Sequence, residues 1–175
     1  MLEIIRAGMS TTLQDGGRHG MRQSGISRSG AMDSAALRIA NLLVGNAADS
    51  AVLEITLGQC AFVFHRDGWF ALAGADCAAT LDGKPVWSGW RWPVRAGQRL
   101  KLALPKRGMR SYLAVSGGFD VPSVMGSYST DLKAGFGGVA GRSLQEGDRL
   151  PLRPATREFR QPRGVRQLQW GNRVR

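Results

Sequence analysis

The chain has 175 residues, of which 43% are hydrophobic and 21% charged, and a formal net charge of +11. This length suits one domain with a sizeable core, and the composition excludes an intrinsically disordered chain. No apolar run approaches the ~20 residues that cross a bilayer, and the N-terminus lacks a charged-then-apolar leader, so no membrane partner is expected and the reading is cytoplasmic.

The chain opens on "LEIIRAG", a strand from Leu2 to Ala7 that Gly8 ends. "TTLQDGGRHGMRQSGISRSGAMD", Thr11 to Asp33, then reads as a polar loop in which five glycines alternate with Gln14, Asp15, Arg18, His19 and Arg22. Such a segment is either a tolerated connection or a loop that closes around a ligand. The one helix is "SAALRIANLLVGN". Leu37, Ala40 and Val44 recur at helical spacing, Asp33 stands at the N-cap, and Gly45 lies where a helix stops.

Short strands follow in "AVLEITLG", "CAFVFH", "WFALAGA", "CAATLDGKPVW", "VRAGQRLKLALP" and "RSYLAVSGGF", with a hairpin turn at Asp82-Gly83. A second glycine-rich polar loop, "GSYSTDLKAGFGGVAGRSLQEGD", runs from Gly126 to Asp148, and "EGDRLPL" turns into a short closing strand. Many short strands and a single helix predict a mainly β fold. A closed barrel is preferred to a sandwich, because closure removes exposed edges. From Pro151 onward seven arginines face one acid, Glu158, so this segment holds +6 of the +11. Its three prolines and weak periodicity predict a poorly ordered, solvated extension rather than a nucleic-acid arm. Trp87, Trp90 and Trp92 read as core or interface residues, not as a base-stacking surface, so no nucleic-acid partner is expected.

Cys60 and Cys77 sit in separate apolar segments without CxxC spacing or clustered histidines, which predicts buried thiols and no metal site. His65 ends an apolar strand and reads as structural. The standard phosphate-loop, dinucleotide, zinc and nucleophile-elbow motifs are absent, so candidate site residues come from the two polar loops. Arg18 has a planar fork that suits a carboxylate, and Gln14 and Gln23 can grip a carboxylate or amide of a small-molecule substrate. Asp15 can cap a turn. Asp33 is favoured as a helix cap, although one residue can be both a cap and a catalytic carboxylate. In the second loop Ser127, Thr130 and Asp131 either hydrogen-bond substrate or shape the turn, and Arg142 is solvated or pins the loop. Gly137 and Gly138 supply positive φ or close backbone approach. The candidates are therefore Asp33 and Asp131 as catalytic carboxylates, with Gln14, Arg18, Gln23, Ser127, Thr130, Gly137 and Gly138 around the substrate.

"TTLQDGGRHG", "SGAMD", "ANLLVGN" followed by "LEITLG", "LAGAD", "SYLAVSGG", "GSYSTDLKAGFGG" and "GRSLQEGD" resemble the successive signatures of the biotin-dependent carboxyltransferase family. That family is also called allophanate hydrolase subunit two and includes the KipI antagonist and the C component of 5-oxoprolinase. The resemblance implies a cyclophilin-like β-barrel over residues 1–152, with 153–175 left as a basic tail. It implies a subunit of an ATP-dependent 5-oxoprolinase-type, urea amidolyase-related complex, whose partner is a companion allophanate hydrolase subunit one-type (KipI-like) subunit. ATP is then used by the complex without being bound by this chain alone, and biotin enters only for the carboxyltransferase type. A regulatory binder that antagonises a sensor-kinase inhibitor is the alternative. The resemblance covers the N-terminal half of such proteins, so a truncated form that is inactive by itself is expected.

Overall fold

The computed structural model describes residues 1–155 and 157–165. Thr156 and residues 166–175, with Arg166, Arg173 and Arg175 of the basic extension, lie outside the described residues. In chain order the elements are β1 (Leu2–Arg6), β2 (Ser10–Gln14), a 3-10 turn (Arg22–Ser24), α1 (Ser34–Leu43), β3 (Val52–Thr56), β4 (Cys60–Phe64) and β5 (Gly68–Gly74). They continue with β6 (Thr80–Leu81), β7 (Lys84–Pro85), β8 (Trp90–Val94), β9 (Arg99–Leu102), β10 (Arg110–Val115), β11 (Arg149–Leu150) and β12 (Arg163–Gly164). The strands form two antiparallel six-stranded sheets, ordered β11-β1-β4-β9-β6-β7 and β12-β8-β5-β10-β3-β2.

Period-two alternation explains how the second sheet is covered on both faces. Leu53, Ile55, Phe70, Leu72, Leu113 and Val115 point toward the first sheet and share a core with Leu2, Ile4, Phe62, Phe64, Leu100 and Leu102. The intervening Val52, Ala71, Ala73, Tyr112 and Ala114 face outward and bury Ala36, Leu37, Ala40, Leu43 and Val44 of the helix and its end. Small alanines on the strands let α1 approach closely. Asp33 caps the helix through Ala36 N, which donates to Oδ1 at 3.0 Å.

Two expectations need correction. The first polar segment does not begin as a loop. Ser10–Gln14 is strand β2, paired with β3 from Ser10↔Thr56 to Gln14↔Val52, because Leu13 alternates into the core while Ser10, Thr12 and Gln14 take the other face. The ladders form two six-stranded sheets and do not by themselves close the expected barrel. The outermost strands are short or covered: β7, β11 and β12 are only two residues long, and the outer edge of β2 is covered by the second polar loop, where Thr130 N and Leu144 N donate to Leu13 O and Thr11 O.

The basic extension is the second correction, since its described part pairs with the second sheet. Arg163 and Gly164 pair with Arg91 and Trp90 of β8, and Val165 N donates to Gly89 O at 2.9 Å. Ahead of this pairing, Phe159 packs edge-on to Trp69 and lies 3.9 Å beneath the Arg91 guanidinium. A single aromatic anchor inside a charged segment has no periodicity to reveal it. Phe159→Ala is expected to cost about 1–2 kcal/mol in urea unfolding, from a half-buried ring and one cation–π contact. An unchanged midpoint would return the segment to the solvated-tail description.

Trp87, Trp90 and Trp92 cluster with ring centroids 5.2–6.1 Å apart, and of these three Trp92 packs against the core. Trp87 and Trp90 are 55% and 36% exposed. Cys60 and Cys77 are buried free thiols, and burial pushes Cys60 up to about 12 and Cys77 upward as well.

Candidate functional site

Beyond the N-terminal end of α1, the outer face of the second sheet turns from apolar to polar. The register lines up Ser10, Thr56 and Arg110 in one row across β2, β3 and β10, with Thr12, Glu54 and Tyr112 in the next. With Gln14, these rows, apart from the fully buried Tyr112, floor a cleft of about 380 Å3. Ser29 and Gly30 of the first loop form one wall, and Thr130, Asp131 and Leu132 of the second form the other.

Glu54 is the centre of this floor and is 5% exposed. Its Oε1 accepts from Arg110 Nη1 at 2.7 Å, and its Oε2 accepts from Tyr112 Oη at 2.9 Å and Met32 N at 2.7 Å. Three donors, one of them charged, compensate the buried carboxylate. Arg110 Nη1 also donates to Thr56 Oγ1 at 2.9 Å, which sets the plane of its guanidinium. Burial first, and then the adjacent Glu54 charge, push the Tyr112 phenol above its ordinary value, so it remains a donor.

Asp131 forms the rim. Ser27 Oγ and, at 3.3 Å, Ser29 Oγ donate to Oδ2, while Lys133 N and Ala134 N donate to Oδ1 at 3.1 and 3.0 Å. The Ser27 hydrogen bond leads the causes that hold this carboxyl below its usual range. Asp148 is lowered too, chiefly by a two-pronged pair with Arg142 at 2.7 and 2.9 Å, so Arg142 pins the loop. A depressed folded value stabilises above the unfolded aspartate value of about 4, and that contribution disappears as pH falls through the folded value. The melting temperature should therefore drop on acidification below about pH 4. Asp131→Asn should flatten part of that slope in calorimetric scans, and parallel slopes would refute the assignment.

Behind the cleft the two polar loops are clamped together. Asp15 Oδ1 accepts from Gly17 N, Ser127 Oγ and Ser129 Oγ at 2.6–2.7 Å, and Oδ2 accepts from Tyr128 N at 2.6 Å. Arg18 is 2% exposed; its Nε donates to Val124 O at 3.3 Å, Nη2 donates to Ser129 O, and its guanidinium lies 4.5 Å over the Phe136 ring. A Cβ on Gly137 would strike Ser129 O and Arg18 Nη2, and one on Gly138 would strike Thr130 Oγ1, so only glycine admits this approach.

Of the expected site residues, the cleft thus brings together Gln14, Thr130 and Asp131. Arg18, Ser127, Gly137 and Gly138 build the clamp instead, and the burial of Arg18 removes it as an open carboxylate anchor. Gln23 lies on the exposed 3-10 turn, and Asp33 serves α1; neither lines the cleft. Glu54, Arg110 and Tyr112 escaped sequence reasoning. Their signal was an acid inside the apolar run "LEITLG" and an arginine and a tyrosine at alternate positions of "RSYLAV". Among the described residues no group of three or more His, Cys, Asp or Glu side chains could hold a metal, and no helix is long and apolar enough to cross a membrane.

A family model described as "Carboxyltransferase domain, subdomain A and B" matches residues 24–173, running on through the basic extension. The chain is 65% identical over 175 residues to the C component of 5-oxoprolinase from Escherichia coli (strain K12), covering 100% of this chain and 56% of that protein. It is 48% identical over 150 residues to the C component of 5-oxoprolinase from Haemophilus influenzae, covering 86% and 48%. The crystal structure of the Kluyveromyces lactis urea amidolyase superimposes with a TM-score of 0.84 at 38% identity, over 86% of this chain and 9% of that one. The chain therefore spans about half the length of the curated 5-oxoprolinase relatives it matches.

Proposed function

The chain belongs to the carboxyltransferase-domain family, subdomain A and B, and on that premise we propose that it is the substrate-holding part of a subunit in an ATP-dependent, 5-oxoprolinase-type amide-hydrolysing complex. The observation that most supports this is the 65% identity to a 5-oxoprolinase component across all 175 residues, which includes both polar loops. The finer fold in this reading is the cyclophilin-like barrel, its two sheets sharing one core.

In the cleft, Thr12, Gln14, Thr56 and Thr130 orient an amide. Arg110, held in plane by Glu54 and Thr56, donates to the carbonyl oxygen on which negative charge develops. Asp131, ionised at neutral pH, stands at the rim as the carboxylate that faces the reacting amide. Asp33 acts only through the helix it caps.

The nucleotide does not fit this cleft. Two carboxylates line it against one guanidinium that is already paired, a charge balance that opposes a polyanion. We therefore assign ATP to the companion allophanate hydrolase subunit one-type, KipI-like partner, and derive no step through it. Biotin enters only if the complex transfers carboxyl groups, as a urea-dependent relative would, and no residue here is assigned to it.

The test reconstitutes the chain with the remainder of the subunit and its companion, then measures glutamate release from 5-oxoproline with ATP beside a urea-dependent assay. Glutamate release is expected from the complex and none from the 175-residue chain alone. If neither reaction proceeds in a folded complex, the regulatory-binder reading replaces this one.

A further inference from the structure

Gln14 is 7% exposed, lines the cleft, and donates from Nε2 to Thr12 Oγ1 and Thr130 O, both at 3.1 Å. A main-chain carbonyl only accepts, so the orientation of this amide is determined by its partner. Its Oε1 is consequently a buried acceptor with no hydrogen bond among the described residues. Buried acceptors of this kind are costly and uncommon, and a ligand N–H is what would satisfy it.

Arg110 supplies the complementary half. Its Nη1 is committed to Glu54 and Thr56, whereas Nε and Nη2 make no hydrogen bond among the described residues. Gln14 Oε1 is closed off, with less than 1 Å² exposed, while Arg110 lines the cleft with an unused donor edge; once the Gln14 side chain turns its oxygen toward the cleft, the two match the N–H and C=O of an uncharged amide.

The charges of the lining oppose an anion. Glu54 and Asp131 outnumber Arg110, whose charge Glu54 already neutralises, and Arg18 is sealed in the loop clamp. We propose that this cleft recognises its ligand by the uncharged amide alone, through Gln14 Oε1 and the free edge of Arg110, and leaves any ligand carboxylate outside. The proposal rests on the cleft being the substrate site. It places the recognition of a substrate carboxylate on solvent or on the partner subunit.

The experiment titrates the isotope-labelled full chain at neutral pH with 2-pyrrolidinone, L-5-oxoprolinamide and L-5-oxoproline, following the Gln14 side-chain amide and the Thr12 and Thr130 backbone signals by NMR. The two uncharged lactams are expected to shift these signals with similar affinity, and the acid to bind about threefold more weakly, as one like charge a few ångströms away in solvent requires. Gln14→Met should weaken the neutral lactams by about tenfold, the loss of one buried hydrogen bond, with signals distant from the cleft unmoved. Should that variant fail to fold, the three-ligand comparison on the native chain still decides. Tighter binding of the acid than of its amide overturns the inference while leaving the site reading in place. No shift in the cleft with any of the three overturns the site reading and the inference with it.

Discussion

Asp15→Ala is expected to lower stability by about 3–5 kcal/mol in urea unfolding, because it removes a buried charged acceptor and leaves several donors unpaired. Those donors are Ser127 Oγ, Ser129 Oγ, Tyr128 N and Gly17 N, so one side chain joins the start of the first loop to the second. Asp15→Asn keeps one acceptor oxygen but sets an NH2 group against a backbone N–H, and it should recover only part of the loss. The damage should be local in origin: hydrogen exchange in residues 124–144 should accelerate before the sheet core does. Arg18→Ala should mimic it in stability, since its hydrogen bonds hold the carbonyls of Val124 and Ser129 in the same loop. Arg38 forms an exposed pair with Asp49, each side chain 58% exposed, and Arg38→Ala should change stability by less than about 0.5 kcal/mol. Similar values for Asp15→Ala and Arg38→Ala would refute the clamp.

In the reconstituted complex, Arg110→Met is expected to reduce kcat/KM for 5-oxoproline by about 10²–10³-fold, the usual consequence of losing one donor to a developing oxyanion. The effect should fall on kcat. A loss confined to KM would make Arg110 a binding group that does not distinguish transition state from ground state. Glu54→Gln removes the charge while its one oxygen can still accept from Arg110, at the cost of an NH2 group set against the Met32 N–H. It should retain more activity than Arg110→Met. Arg38→Ala should stay within about twofold, as expected of an exposed helix charge. If Arg110→Met and Arg38→Ala behave alike, the cleft is not where the amide reacts.

The mainly β class, the helix with its Asp33 cap, the hairpin at Asp82-Gly83 and the two polar loops are all legible in the residue order. Each rests on contacts between near neighbours: a side chain three residues from the amide it caps, a two-residue turn, an alternation of apolar and polar positions. The family signatures are equally linear. Strand β2 was legible in principle, through the alternation of Thr11 and Leu13 with Ser10, Thr12 and Gln14, but its glycine-rich sequel masked it. What only the tertiary structure decided are relations between residues far apart in the chain. Arg18 looked like an exposed anchor because nothing local says that residues 124–137 will close over it. Glu54 is a single acid within an apolar strand in the sequence, and only the register places Arg110 and Tyr112 beside it. Phe159 is one ring in a charged segment, and its value as an anchor exists only once β8 presents Arg91 and β5 presents Trp69. Side-chain chemistry and short-range periodicity are properties of the sequence. Burial and partnership are properties of the packed chain, and they determine which of two chemically similar groups, Arg18 or Arg110, lines the cleft.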